Sequence, residues 1–161
     1  MNKKLLNYSD YLKLEEIVNN QRLKSAERGT PAHDEMFFII IHQVYELWFK
    51  HIIHELDSVL MMFSKVSISE SDVSLAVTRL DRIIEIQKIL IDQVRILETM
   101  TAMDFLEFRD HLFPSSGFQS SQFRKLENKL GLKKADRINY GGKDYKLSLN
   151  KDEKDAVEKS E

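Results

Sequence analysis

The chain has 161 residues, of which 42% are hydrophobic and 31% charged, with a net charge of −2 and no cysteine. That length and balance suit one globular domain of ordinary size. They exclude disulfides, thiolate metal sites and a cysteine nucleophile, and leave no net charge to draw the protein to nucleic acid or an anionic membrane. The start of the chain, MNKKLLNYSDYLKLEE, has no apolar stretch of signal-peptide length, so the expected location is cytoplasmic. Five glycines and two prolines favour long helices over a turn-rich β fold.

Residues 1–8 read as a polar arm. Ser9 or Asp10 is placed to cap a short helix running to about Gln21, with Leu12, Leu14 and Ile17 as its apolar residues. Gly29 and Pro31 mark residues 22–32 as a loop.

The next stretch, from His33 to about Lys65, dominates the chain. No proline, glycine or turn cluster interrupts it, and Met36-Phe37-Phe38-Ile39-Ile40-Ile41 is apolar on every side of a helix. Such a run demands burial all round, yet it is too short to span a bilayer. It is expected to be the central helix of a helical domain, with His42, Gln43, Glu46 and His54 as polar groups in or beside the core.

Ser69-Glu70-Ser71-Asp72 approximates a capping box, with Asp in place of the usual Glu or Gln. After it, Val73, Val77, Leu80, Ile84, Ile91, Val94 and Leu97 recur at helical spacing. This predicts a second long helix to about Met100, packed antiparallel on the first because the connection is short. Thr101 and Asp104 open a third helix to about Leu112. Pro114-Ser115-Ser116-Gly117 is a turn, and a fourth helix starts at Ser120 or Ser121 and ends at Gly131. From Lys133 the composition turns polar, with Gly141-Gly142 in the middle and Asn150 to Glu153 as the cap of a further helix. A helix begun so close to Glu161 suggests that the chain ends inside a longer protein.

Three groups of polar residues have chemical potential. His51 and His54 share a face with Glu55, but they match neither the H-E-x-x-H zinc motif nor the Glu-x-x-His di-iron motif, and read as ordinary helix histidines. His42 sits one turn after Phe38, at the end of the most apolar run. It is either a hydrogen-bonded core histidine or one half of a ring-plus-imidazole pair suited to a flat ligand with a polar N–H. Arg109 lies among aromatics before the Pro114 turn. It either pairs with Glu107, Asp110 or Glu46, or binds a ligand carboxylate.

Three collinear stretches, YSDYLKLEEIVNNQ, HDEMFFIIIHQVYELWFK and ILETMTAMDFLEFRDHLFPSSGFQSSQFRKLENKLG, closely resemble the tryptophan 2,3-dioxygenase family over about residues 8–132. The resemblance implies an all-α fold of long antiparallel helices joined by short ones, as in the indoleamine and tryptophan dioxygenases. It further implies haem b as cofactor, L-tryptophan and O₂ as substrates, N-formylkynurenine as product, and a homotetramer.

By that resemblance His42 lies on the distal side of the haem and meets the indole N–H. Phe38 packs on the indole, Arg109 binds the substrate carboxylate, and Ser116 and Gly117 belong to the loop over the haem edge. Tyr8 and Tyr11 reach a neighbouring subunit's pocket. Phe105 stands where the family often has Tyr, without its hydroxyl. The family's iron-ligating histidine lies beyond the stretch matching residue 132, and no histidine follows His111 here. Residues 1–132 are therefore expected to form the distal, substrate half of such a domain, and 133–161 a polar connection and the start of a further helix. Two other readings remain: a catalytically inactive helical module that keeps the family's self-association, and a binder of indole ligands without haem.

Overall fold

The computed structural model describes residues 5–137 and 145–161. Among them all regular structure is helical. The main elements are α1 (Tyr8–Leu12), α2 (Leu14–Val18), α3 (Lys24–Glu27), α4 (Asp34–Phe63), α5 (Glu70–Leu97), α6 (Ala102–Leu112), α7 (Ser121–Lys129) and α8 (Lys151–Glu158). Short 3-10 turns lie at Gly117–Gln119, Lys134–Asp136 and Tyr145–Ser148. The expected Gly141-Gly142 break and the first half of the N-terminal arm fall outside the described residues.

The central helix is 30 residues long and ends within two residues of the expected Lys65. Its partner α5 opens with a complete capping box: the Ser69 hydroxyl accepts from Asp72 N at 3.1 Å and the Asp72 carboxylate accepts from Ser69 N at 3.3 Å. The shorter Asp side chain thus closes the box that Glu usually closes. Thr101 with Asp104 and Asn150 with Glu153 repeat the device at α6 and α8. Gly131, at φ 76°, follows α7 in the left-handed conformation that glycine adopts without strain.

The pairing of α4 with α5 is antiparallel. The pairs run Met62 with Ala76, Ser58 with Arg79, Glu55 with Arg82, and the Tyr45 hydroxyl donating to the Leu90 carbonyl at 2.7 Å. Between these polar rungs Ile52, Leu56, Ile83, Ile86 and Leu90 form the core, closed at one end by Leu126 of α7. Buried Glu55 meets both Arg79 and Arg82, so its charge is neutralised inside the helix pair.

Two expectations for the N-terminal third are corrected. The helix expected from Ser9 or Asp10 to Gln21 is two short helices, because Lys13 takes a left-handed φ of 55° between them; its cap is Asn7, whose side chain accepts from Asp10 N at 2.8 Å. The loop at 22–32 contains α3, a four-residue helix without a side-chain cap of its own. Glu35 of α4 does that work. Its carboxylate accepts from Lys24 N (2.7 Å), Ser25 N (2.9 Å) and the Ser25 hydroxyl, which in turn accepts from Ala32 N. Those donors are the ones a helix start leaves unsatisfied, so a fully buried Glu35 pins the loop to α4.

Burial pushes the Glu35 carboxyl up. The Ser25 hydroxyl and the backbone N–H groups of Ser25 and Lys24, aided by the field of His111, outweigh it and hold the group below its ordinary value. A depressed native value means that the stabilisation is present above the unfolded-state value and is lost as pH falls through the native one. Glu35→Gln keeps the shape but weakens the charge-assisted bonds, and is expected to cost about 1–3 kcal/mol at neutral pH. In urea unfolding followed by circular dichroism, the gap between wild type and variant should narrow as pH drops below the ordinary glutamate range. A gap independent of pH would contradict the assignment.

Candidate active site

Phe38 and His42 occupy successive turns of α4, so the periodicity of a helix sets their rings side by side. The centroids are 4.1 Å apart, tilted by 39°. His42 Nδ1 lies 2.7 Å from the Phe38 carbonyl oxygen. A carbonyl only accepts, so Nδ1 carries the hydrogen, and in the neutral ring Nε2 is left as the acceptor. The arrangement presents an aromatic face and a nitrogen lone pair together, with the imidazole locked in one tautomer.

The adjoining wall comes from α6. Phe105 stands 5.7 Å from the Phe38 ring, and fully buried Phe108 supports both, at 5.4 Å from each. One residue on, Arg109 is half-buried with its guanidinium 5.9 Å from the centre of the Phe105 ring. Arg109 makes no ion pair among the described residues. Glu46, one of its expected partners, instead accepts from Gln122 Nε2 through its carboxylate (2.8 Å) and its backbone carbonyl (2.9 Å). The structure therefore does not bear out the salt-bridge reading of Arg109. A half-buried guanidinium without a counter-ion is an anchor for an anionic ligand.

These groups face one hollow of about 860 Å³. Phe38, His42, Phe105, Arg109, Ser116 and Gly117 all line it. Tyr8 and Tyr11 do not: they are 72% and 70% exposed on α1, and that side of the hollow is walled by Glu16, Ile17 and Asn20. Ser116 lies in the turn after the cis Phe113–Pro114 peptide, where its N–H donates to Gln119 Oε1 at 3.0 Å and its hydroxyl accepts from Phe118 N at 3.4 Å. Gly117 has open space where a Cβ would stand, so this edge of the hollow has room for a bulky group.

Three contacts that shape the site have no local motif. Gln122 ties α7 to α4 through Glu46. Gln21 donates to Gln43 at 2.7 Å, bringing the chain after α2 onto α4. His111, two residues beyond Arg109, is held from the α3 loop by Arg28 at 3.3 Å and by the Thr30 hydroxyl at 3.2 Å. The guanidinium can only donate, so His111 accepts at Nδ1 and gives its Nε2 hydrogen to Thr30. Glu35 anchors that loop to α4, and His111 passes the anchor on to α6. Pairings at such separations carry no signal in a single sequence.

The residues fit one side of a haem pocket. The hollow is larger than an amino acid needs, and its lining joins the Phe38 and Phe105 rings and the aliphatic Ile39, Leu47 and Leu112 to many polar side chains. Haem iron takes a histidine, cysteine, methionine or tyrosine as axial ligand. His42 is the single residue of those types in the lining, and its place beside Phe38 suits a ligand's N–H. The axial ligand would have to come from outside this set of residues. His51 and His54, whose rings stack at 6.2 Å, belong to the far end of α4, where His51 neighbours Glu55; no cluster of three metal-ligating side chains occurs among the described residues.

Comparison with known proteins matches the whole chain, residues 1–161, to the family model described as tryptophan 2,3-dioxygenase. Relatives carrying that name include a protein of Bdellovibrio bacteriovorus, 54% identical over 145 residues that make up 90% of this chain and 40% of the relative. One from Dictyostelium discoideum is 51% identical over 154 residues, 96% of this chain and 38% of the relative. One from Xenopus tropicalis is 47% identical over 155 residues, again 96% and 38%. The chain thus spans about two fifths of the length of the curated relatives it matches. Helical throughout its described residues and matched from end to end by the family's model, the chain belongs to the tryptophan 2,3-dioxygenase family.

Proposed function

We propose that this chain supplies the substrate side of a haem-dependent dioxygenase that opens the indole ring of L-tryptophan to N-formylkynurenine. One observation carries the reading: an aromatic ring, an imidazole acceptor and a guanidinium with no ion pair among the described residues face the same hollow. L-tryptophan presents their three complements, an indole face, an indole N–H and a carboxylate.

In the proposed complex Phe38 and Phe105 hold the indole plane, and His42 Nε2 accepts the indole N–H. The Arg109 guanidinium takes the carboxylate in a two-pronged bond. A bound haem would supply the chemistry of O₂ activation. The chain's own contribution is to bind the amino acid, fix the C2–C3 edge of the indole, and displace water from the apolar wall. The Phe38 carbonyl keeps the imidazole from rotating, so the acceptor is preorganised before substrate arrives. Exposed Ser116 and Gly117 would border the haem edge. Tyr8 and Tyr11 would close a neighbouring subunit's hollow in a homotetramer, a role that suits two tyrosines left open on α1. No helix among the described residues is long and apolar enough to cross a membrane.

Titration calorimetry of this chain with L-tryptophan, and with tryptamine, which lacks the carboxylate, tests the anchor. Arg109→Ala should weaken L-tryptophan binding by about 1.5–3 kcal/mol, the worth of hydrogen bonds to a charged group, and leave tryptamine almost unaffected. Equal losses for both ligands, or none, would remove Arg109 from that role. The same design applies to His42 with 1-methyltryptophan, which has no indole N–H. His42→Ala should cost L-tryptophan about 1–3 kcal/mol and the methylated ligand much less. In the haem-loaded enzyme both substitutions should depress the appearance of N-formylkynurenine, read by its near-ultraviolet absorbance. Full turnover by Arg109→Ala at low tryptophan would contradict the proposal.

A further inference from the structure

Helix α6 turns two faces to the rest of the chain. Phe105, Arg109 and Leu112, at spacings of four and three residues, line the hollow. His111 stands across the helix from Arg109, because two residues at 3.6 per turn carry it roughly 200° round the axis. It does not line the hollow and meets the α3 loop instead.

The two ends of α6 are held differently. Its start is closed by the capping box of Thr101 and Asp104. Its last turn, which carries Arg109, runs out into Phe113, a side chain 77% exposed. Phe108 packs between Phe38 and Phe105, but apolar packing is non-directional, so it seats the helix without fixing the angle at which a neighbouring guanidinium emerges. Among the described residues, every side-chain hydrogen bond that leaves α6 for another element leaves from His111.

That link has a defined polarity. Arg28 donates to Nδ1 at 3.3 Å, and Nε2 donates to the Thr30 hydroxyl at 3.2 Å. It needs one acceptor and one donor on the same side chain, which a neutral imidazole provides. The loop that carries both partners is fixed by Glu35, one turn before Phe38 on α4. The helix that bears Phe38 and His42 is thus joined to the turn that bears Arg109 through Glu35, the α3 loop and His111. A two-pronged bond to a carboxylate needs both prongs aligned, and a misplacement of about 1 Å can cost a site much of its effect.

We propose that His111 is a positioning residue for substrate recognition. By tying the last turn of α6 to the α3 loop it aims Arg109, and so sets how strongly the hollow prefers an indole amino acid to the matching amine. The proposal rests on the reading of Arg109 as the carboxylate anchor. Phe38 and His42 belong to α4 and Phe105 lies near the capped start of α6, so the effect falls on the carboxylate end of the ligand.

The test is calorimetry of this chain with L-tryptophan and with tryptamine, read as the ratio of the two affinities. His111→Leu removes both the acceptor and the donor; it should weaken L-tryptophan about three- to tenfold and tryptamine less than about twofold. His111→Gln, whose amide again offers an acceptor and a donor, should bring the ratio back towards wild type. Arg28→Leu cuts the same link from the loop side, outside the lining of the hollow, and should lower the ratio as His111→Leu does, even if that variant fails to fold. In an Arg109→Ala background His111→Leu should change neither affinity further, since no guanidinium remains to be aimed. A histidine that only stabilises the fold would weaken both ligands alike and would not need Arg109 for its effect. Equal losses for the two ligands, an unchanged ratio on cutting the link, or a His111→Leu loss that persists in full without Arg109 would each overturn the proposal. Arg109→Ala by itself separates the two levels. If it lowers the ratio and cutting the link does not, the anchor stands and the positioning role fails; if it leaves the ratio unchanged, both fall.

Discussion

The bond from His42 Nδ1 to the Phe38 carbonyl is the constraint on which the site rests. It costs the helix little, because a carbonyl has two lone pairs and can serve both the helix ladder and the imidazole. What it gains is a defined acceptor. An imidazole free to rotate or to change tautomer would present either a donor or an acceptor to an incoming N–H, and half of those states would repel it. Here the backbone that creates the helix also chooses the tautomer. The ring beside it is placed by the same one-turn spacing, so the polar and apolar halves of the indole site come from a single element.

The third component has a different origin. Arg109 is carried by α6, whose position depends on contacts far along the chain: His111 with Arg28 and Thr30, the α3 loop with Glu35, and Phe108 packed against Phe38. The buried carboxylate of Glu35 thus acts at a distance on the reach of Arg109, by fixing the loop against which α6 leans.

This division explains what could be read in advance. Helix starts were legible at Ser69, Thr101, Ser120 and Asn150, where a side chain and the backbone three residues on form a closed pair; the same pair at Asn7 and Asp10 was passed over for Ser9 or Asp10. The pairing of Phe38 with His42 followed from helical spacing, and the shared hollow with Arg109 from the resemblance to the family. The break at Lys13 was not legible, because a non-glycine residue in the left-handed conformation leaves no trace in composition. Helix α3 was missed for a related reason: its cap comes from Glu35, eleven residues beyond Lys24. Residue type and spacing left Arg109 open between a salt bridge to Glu107, Asp110 or Glu46 and a ligand carboxylate; in the structure Glu46 is taken by Gln122. The stripe expected on α5, from Val73 and Val77 through Leu80, Ile84, Ile91 and Val94 to Leu97, is not the buried one: Ala76, Ile83, Ile86 and Leu90 are the residues buried there. Periodicity shows that a residue recurs at helical spacing; it does not tell which of two adjacent stripes meets the core.

The central claim, that one hollow gathers an aromatic face, a fixed imidazole acceptor and a guanidinium for a single indole amino acid, is most directly tested by nuclear magnetic resonance with nitrogen-15 in the histidine rings. On saturation with L-tryptophan, the account predicts a shift confined to the Nε2 signal of His42, with Nδ1 still protonated, and nuclear Overhauser contacts from the indole protons to Phe38 and Phe105. Unmoved His42 signals, or indole contacts to residues outside that hollow, would contradict it.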